Sequence, residues 1–368
     1  MTPPASRRRL RRRSAWAVPV VVAVAVVGTS LVAGSPASAT AHPVLPPLTA
    51  AELLVGVQTS STQALSGTVV ETARLGLPSL PGPDSSAALD WQSLVTGSHT
   101  ARVWVDGPDR QRLALLGQLA ESDVVRSGRD VWTYASADQA VTHAVLPEAP
   151  AEPAGPGVTP DAQSLTPAAA AGKALSAIDP TTVVTVDPTT MVADRPAYSL
   201  VLTPKDGRST VRKVAIAVDS ETKVPLRVQV FGAAPEAAFE SGFTDITFAR
   251  PAGSVFRFTP PQGSTVTTKQ ISPPAATAEP ARPADTAAPT VVGTGWTSVL
   301  VLPAGSVPAA GSAVPPGGST GDLIGRLSTT LPSGDRLVRT ALVNVLLAKD
   351  GRILVGAVGA DLLTAAAG

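Results

Sequence analysis

The chain of 368 residues contains no cysteine. This excludes disulfide staples, thiolate metal sites and the N-terminal acylation of a lipoprotein, all of which need that side chain. Histidine is nearly absent. His42, His99 and His143 are the three, with no H-E-x-x-H and no pair at i,i+4, so a histidine-held metal is not expected. There is no G-x-S-x-G elbow. Gly293-Thr294-Gly295 lacks the third glycine and the following helix of a dinucleotide loop. No acid sits in an apolar run that would raise its pKa, which leaves general acid–base chemistry without a candidate. We therefore expect no catalytic residue, no metal and no cofactor, and read the chain as a non-enzyme. A basic folded surface is missing too. The chain has 29 Lys+Arg against 28 Asp+Glu, but six of the arginines fall between Arg7 and Arg13; without them 23 face 28, a balance of −5. Nucleic acid is excluded as a partner on that ground.

Those six arginines have another use. They precede an apolar run from Trp16 to Val27, and Ala37-Ser38-Ala39 supplies small residues at a cleavage site. Residues 1–39 read as a secretory signal. The apolar run can be extended to Ala33, which is just long enough to span a bilayer, so cleavage and retention as an anchor both remain open. Either way the rest of the chain is expected outside the cytoplasm, secreted or in the cell envelope.

Beyond the signal the pattern is one of short alternating strands. Thr49-Ala50-Ala51-Glu52 is a capping box opening a helix that ends near Ser60. Strands are expected at Leu65–Thr72, Thr100–Asp106, Arg110–Leu116, Val124–Arg126, Val131–Tyr134, Ala140–Leu146, Thr181–Asp187 and Met191–Leu202, with Gly and Asp in the turns between them. Thr166-Pro167 is an N-cap with proline at N1, opening an alanine-rich helix to Ile178. Between Arg208 and Val266, Val214, Ile216 and Val218 alternate, then Leu226, Val228 and Val230, across the turn Asp219-Ser220-Glu221-Thr222. The count is about ten or eleven strands and two helices in one antiparallel sheet. A sheet this wide tends to curl, and helices can cover its concave side. Residues 76–98 and 147–165 are proline-rich loops, and 271–290 reads as a Pro/Ala/Thr-rich linker. A small unit at 291–368 follows: a strand at Gly295–Leu302, a short helix at Asp322–Thr330, a hairpin of Leu337–Leu347 and Ile353–Val358, and a helix at Ala360–Ala367. The fold class is α+β.

The segment 208–266 ends in Phe256-Arg257-Phe258-Thr259-Pro260-Pro261-Gln262-Gly263. An acidic turn, a strand opening with Pro225-Leu226 and this aromatic-proline exit together resemble the closing strands of the LolA/RseB superfamily of extracytoplasmic proteins. The C-terminal order resembles the RseB-like branch. The resemblance implies a curved half-barrel domain over 40–270, covered by helices, and a small α+β unit over 291–368. It implies a hydrophobic cavity that receives the acyl chains of a lipid or lipoprotein, as carrier or sensor. The apolar face expected to line it comprises Val103, Val105, Leu113, Leu115, Trp132, Tyr134, Leu200, Leu202, Val214, Ile216, Val218, Leu226 and Val228. It further implies an arginine that pins the helical lid, with Arg74, Arg102 and Arg112 as candidates. The alternative reading is an envelope-stress regulator that binds the extracytoplasmic part of an anti-sigma factor or another membrane protein without carrying lipid. A membrane surface is a further partner class that the resemblance admits.

Overall fold

Thr49 and Glu52 close on each other at the start of helix α1 (Ala50–Gln58). The Thr49 hydroxyl accepts from the Glu52 amide at 3.2 Å, and the Glu52 carboxylate accepts from the Thr49 amide at 2.8 Å. The capping box read from the sequence is thus formed, and it satisfies donors that the first turn leaves open. The computed structural model describes residues 45–77, 97–117, 121–147, 166–270, 288–305 and 327–368. The signal segment read at 1–39, and nearly all of the proline-rich stretches 76–98, 147–165 and 271–290, lie outside these residues.

Among the described residues, twelve strands form one sheet. They are β1 (Ala64–Ala73), β2 (Gly97–Asp106), β3 (Arg110–Leu116), β4 (Glu121–Ser127), β5 (Asp130–Ala135), β6 (Ala140–Val145), β7 (Thr182–Val192), β8 (Arg195–Pro204), β9 (Lys213–Asp219), β10 (Pro225–Phe231), β11 (Ala237–Thr247) and β12 (Thr265–Gln270). Their order is β12-β6-β5-β4-β3-β2-β1-β11-β10-β9-β8-β7. Two meanders, one before and one after helix α2 (Pro167–Ser176), are therefore joined where β1 meets β11. The sheet is curved and unclosed, with β12 and β7 at its edges. This is the α+β half-barrel expected of the sequence, and two features depart from it. β12 pairs with β6 in parallel, from Thr265↔Ala140 to Gln270↔Val145. The chain reaches that edge by crossing the outside of the first meander rather than by a tight turn, so it arrives running the same way as its neighbour. β7 also continues past Asp187, where a break was expected at Pro188. Its register with β8 shifts between Asp187 and Thr190, and on an edge strand the missing proline N–H costs little. The turn instead falls at Ala193 and Asp194, both left-handed, with φ 49° and 58°.

A second, six-stranded sheet uses β13 (Thr290–Val292), β14 (Val299–Leu302), β15 (Ser328–Thr330), β16 (Arg336–Val338), β17 (Asn344–Leu347) and β18 (Ile353–Gly356), in the order β13-β14-β18-β17-β16-β15. Helix α3 (Ala360–Ala367) packs against it, with Leu337, Leu346, Leu354 and Leu363 fully buried between them. Of the helix expected at 322–330, residues 328–330 are strand. The single strand expected at 337–347 is broken by a turn in which the Thr340 hydroxyl accepts from the amides of Leu342 at 3.3 Å and Val343 at 3.0 Å. That turn sends Leu342 into the core of the large sheet.

The two sheets belong to one unit, His42–Gly368. The Thr210 amide donates to the Ala357 carbonyl at 2.8 Å, and the Ala341 amide to the Leu75 carbonyl at 2.9 Å. Gly232 permits this approach, since a Cβ there would lie 2.5 Å from the Ala341 carbonyl oxygen.

Candidate functional site

Strand register decides which side chains share a face, because residues directly opposite one another point the same way. Leu65, Gly67 and Val69 of β1 lie opposite Val105, Val103 and Ala101 of β2, which in turn lie opposite Gln111, Leu113 and Leu115 of β3. On the other side Val69 and Glu71 meet Phe243 and Ser241 of β11, Ser241 meets Val228, Val228 meets Ile216, and Ile216 meets Leu200. Val214 with Leu202, and Val218 with Tyr198, complete the row. One continuous face thus holds Val103, Val105, Leu113, Leu115, Leu200, Leu202, Val214, Ile216, Val218 and Val228. All except Leu115 are buried, and Leu115 is half-buried. Leu226, also buried, sits at the register shift between β9 and β10 and joins the cluster of Val69, Ala217 and Phe243.

Trp132 and Tyr134 do not belong to this face, and here the sequence reading is corrected. Val131 takes the inward position, and Trp132 lies opposite Val125 and His143 on the other side of the sheet. There Trp132 stacks on His143 with ring centroids 3.9 Å apart, and Phe258 of the aromatic-proline exit covers Trp132 at 5.5 Å and Tyr134 at 6.2 Å. The exit is therefore a clamp on the outside of the first meander. Arg112 joins it, paired with Asp123 at 2.9 Å and donating to the Val255 carbonyl at 3.4 Å. Arg102 lies on the same outer side, 5.2 Å from the Trp104 ring, and Arg74 donates to the Ala237 carbonyl at 3.4 Å. Of the three, Arg112 reaches a helical carbonyl, since Val255 lies in the short 3-10 helix Gly253–Phe256, and none of them donates to α1 or α2 in these contacts.

Helix α2 lies over the inner face and divides it. The Thr166 hydroxyl caps it by accepting from the Ala169 amide at 3.3 Å, and Pro167 opens it. Two helical stripes, each spaced i, i+3, i+4, look to opposite sides. Ala168, Ala171, Gly172 and Leu175 line a cavity of about 360 Å³ closed by Leu65, Val105, Pro225 and Phe243. Ala170, Lys173, Ala174 and Ala177 line another of about 480 Å³, whose floor is Val214, Val228, Val230 and Phe239. The cavities exist because the helix is built of alanine. Leucines at the same positions would have filled this space to ordinary packing density. Of the residues expected to line a cavity, Val105 lines the smaller, Val214 and Val228 line the larger, and the other face members line neither.

Trp296, Glu71 and Ser241 were not expected from the sequence to line a cavity, and all three line the larger one. Trp296, from the second sheet's entry, closes one end, its indole N–H donating to the Thr182 hydroxyl at 2.8 Å. Glu71 and Ser241 face each other on the floor. Burial pushes the Glu71 carboxyl above its ordinary range, while the charges of His99 and Lys173 pull it down less strongly. The expectation that no acid is so placed is corrected: Glu71 follows Val69-Val70 on a strand whose inner face is covered. Its folded value lies above the 4.5 of an unperturbed glutamate, so ionisation above that pH works against folding. Glu71→Gln should therefore raise Tm at pH 7, by about 2 °C, with the advantage gone at pH 4. Thermal melts of both proteins at the two pH values check this; an equal gain at both would mean that charge is not the cause.

No family model matches the chain, and no curated protein matches it. Solved structures do. The complex of Pseudomonas aeruginosa MucA and MucB matches at 17% identity over 86% of this chain and 96% of the other, with a TM-score of 0.42. An uncharacterised conserved protein from Thermus thermophilus matches at 12% identity over 60% and 99%, with a TM-score of 0.33. A LolA superfamily protein from Nitrosomonas europaea matches at 12% over 58% and 99%, with a TM-score of 0.22. The fold described above stands on strand order and register.

Proposed function

We propose that the protein is an extracytoplasmic binder of acyl chains, taking a lipid or the lipid part of a lipoprotein onto the inner face of its half-barrel. The observation that carries this is the pair of apolar cavities left open by an alanine helix. Their volumes fall in the range of small-molecule sites, roughly 300–1,000 Å³. Burying an acyl chain contributes about 0.8 kcal/mol per methylene, so about ten methylenes supply about 8 kcal/mol before ordering costs. The inner-face residues from Val103 to Val228 named above then act as wall or as packing beneath it. In the same reading residues 1–39 direct export, 40–270 form the carrier domain, 271–290 a linker, and 291–368 a unit that closes the larger cavity through Trp296.

Native mass spectrometry tests it, on the protein exported by its own signal and purified without detergent. The expected result is a co-purifying mass released on denaturation as an acyl lipid or lipopeptide. A clean apo mass that does not shift on adding lipid extract would overturn the carrier reading. One observation favours a second reading, the regulatory one. The β13 edge of the second sheet presents Val291, Val292 and Leu300 exposed, at 65%, 46% and 38%. An apolar edge that carries no further strand among the described residues suits a partner strand, and the extracytoplasmic segment of an anti-sigma factor or another membrane protein would be that partner.

A further inference from the structure

The larger cavity has a polar corner that an apolar chain alone would leave unsatisfied. The Ser241 hydroxyl is buried, 1% exposed as a residue, and has no hydrogen-bond partner among the described residues. Glu71 stands directly opposite it. The charges of His99 and Lys173 offset part of the burial of that carboxylate. Buried polar groups in folded proteins are nearly always paired, and an unpaired one is costly. An unpartnered hydroxyl beside an acceptor carboxylate, on the floor of an open cavity whose other floor residues are apolar, amounts to a position that a ligand's polar end can fill.

We propose that Glu71 and Ser241 form a head-group subsite, and that it selects acyl ligands whose polar end donates hydrogen bonds, such as a glycerol hydroxyl or an amide N–H, over free fatty acids. This rests on the acyl-binding reading above. A donor head satisfies both the carboxylate and the hydroxyl, whereas a fatty-acid carboxylate would set a second anion beside Glu71. Lys173 does not reverse this preference, because it is exposed on α2 and its attraction is screened by solvent. The donor requirement also orients the ligand. Its head lies toward β1 and β11, and its chain runs along Val214, Val228 and Val230.

The test uses the full chain with N-phenyl-1-naphthylamine, a neutral apolar fluorophore, displaced by monolauroylglycerol or by laurate of equal chain length. Monolauroylglycerol should displace it at about tenfold lower concentration, the worth of about one hydrogen bond made in a dry site. Ser241→Ala and Glu71→Leu should bring the ratio to about one while fluorophore binding persists. Glu71→Gln, which keeps shape and removes charge, should tighten laurate binding. Equal displacement by the two ligands on the unmodified protein, or an unchanged ratio in both variants, overturns the subsite and leaves acyl binding standing. Failure to take up the fluorophore at all overturns acyl binding itself, and the subsite with it.

Discussion

Asp219→Ala is expected to lower stability by about 3 kcal/mol, toward the lower end of the cost of breaking a buried ion pair. Asp219 is fully buried, 0% exposed. Its two oxygens accept from Arg195 Nε at 2.6 Å and Nη2 at 3.1 Å, and from the Thr222 amide at 2.7 Å and hydroxyl at 2.8 Å. One carboxylate thus ties the β7–β8 hairpin to the β9–β10 turn. Removing it leaves the Thr222 amide without that acceptor and Arg195 with the Phe248 ring, 4.8 Å away, and Glu221, which is 78% exposed and holds it weakly. Arg195 is itself 25% exposed, so water relieves part of the loss, and this sets the figure at the lower end. Burial pushes the Asp219 carboxyl up, but Arg195 and Thr222 together outweigh it and hold the group below its ordinary 3.8. The stability it contributes is therefore present above about pH 3.8 and is lost as pH falls through the lower folded value. Urea denaturation at pH 7 and below pH 3 measures both. A loss under about 1 kcal/mol at pH 7 would mean that the turn behaves as an ordinary surface ion pair.

The acidic turn shows what was legible in the sequence. Asp219-Ser220-Glu221-Thr222 reads as a turn because aspartate accepts from amides two and three residues on, and it does so here at 3.2 Å from Glu221 and 2.7 Å from Thr222. Strands whose large apolar residues alternate mainly with small or charged ones, such as β3 and β9, are legible for the same local reason. β5 is not, because Val131-Trp132-Thr133-Tyr134 carries apolar groups on both sides. Its inward residue is settled only by pairing with β4 and by Phe258 arriving from more than a hundred residues later. Pairing across long separations also explains the parallel β12, whose six residues are all exposed and whose sequence carries no sign of its neighbour. The cavities were harder still. They are space that alanines leave empty, and alanine contributes little to any hydrophobic periodicity. The signal that could have pointed to them is a helix of ten residues, from Pro167 to Ser176, holding a single large apolar side chain, Leu175, over a sheet of valines and leucines. Glu71 and Ser241 likewise read as ordinary strand polars until register sets them opposite each other.

If the cavity beside α2 holds the acyl chain, Ala174→Trp should weaken uptake by about a thousandfold. Ala174 lines the cavity of about 480 Å³ and is itself half-buried, so a larger side chain there grows into existing space. An indole buries roughly 200 Å² of surface and takes the place of several methylenes of ligand. Losing about five of them, at about 0.8 kcal/mol each, removes about 4 kcal/mol, which is about three decades in Kd. The same substitution should leave the melting temperature unchanged or raise it, because filling a void is stabilising where it introduces no strain. Ala171→Trp is the counter-case: Ala171 borders the smaller cavity but is 0% exposed and packed in the core cluster with Leu53 and Tyr198, so an indole must displace packed neighbours and overpacking should destabilise the fold. Ala168→Trp enters the cavity of about 360 Å³ on the other stripe of the helix. Fluorophore titration and thermal melting of the three variants separate the possibilities. Loss of binding in Ala174→Trp with stability intact assigns the chain to the larger cavity, and loss in Ala168→Trp alone moves it to the smaller. Full binding in both stable variants would mean that acyl chains, if bound at all, lie elsewhere on the molecule.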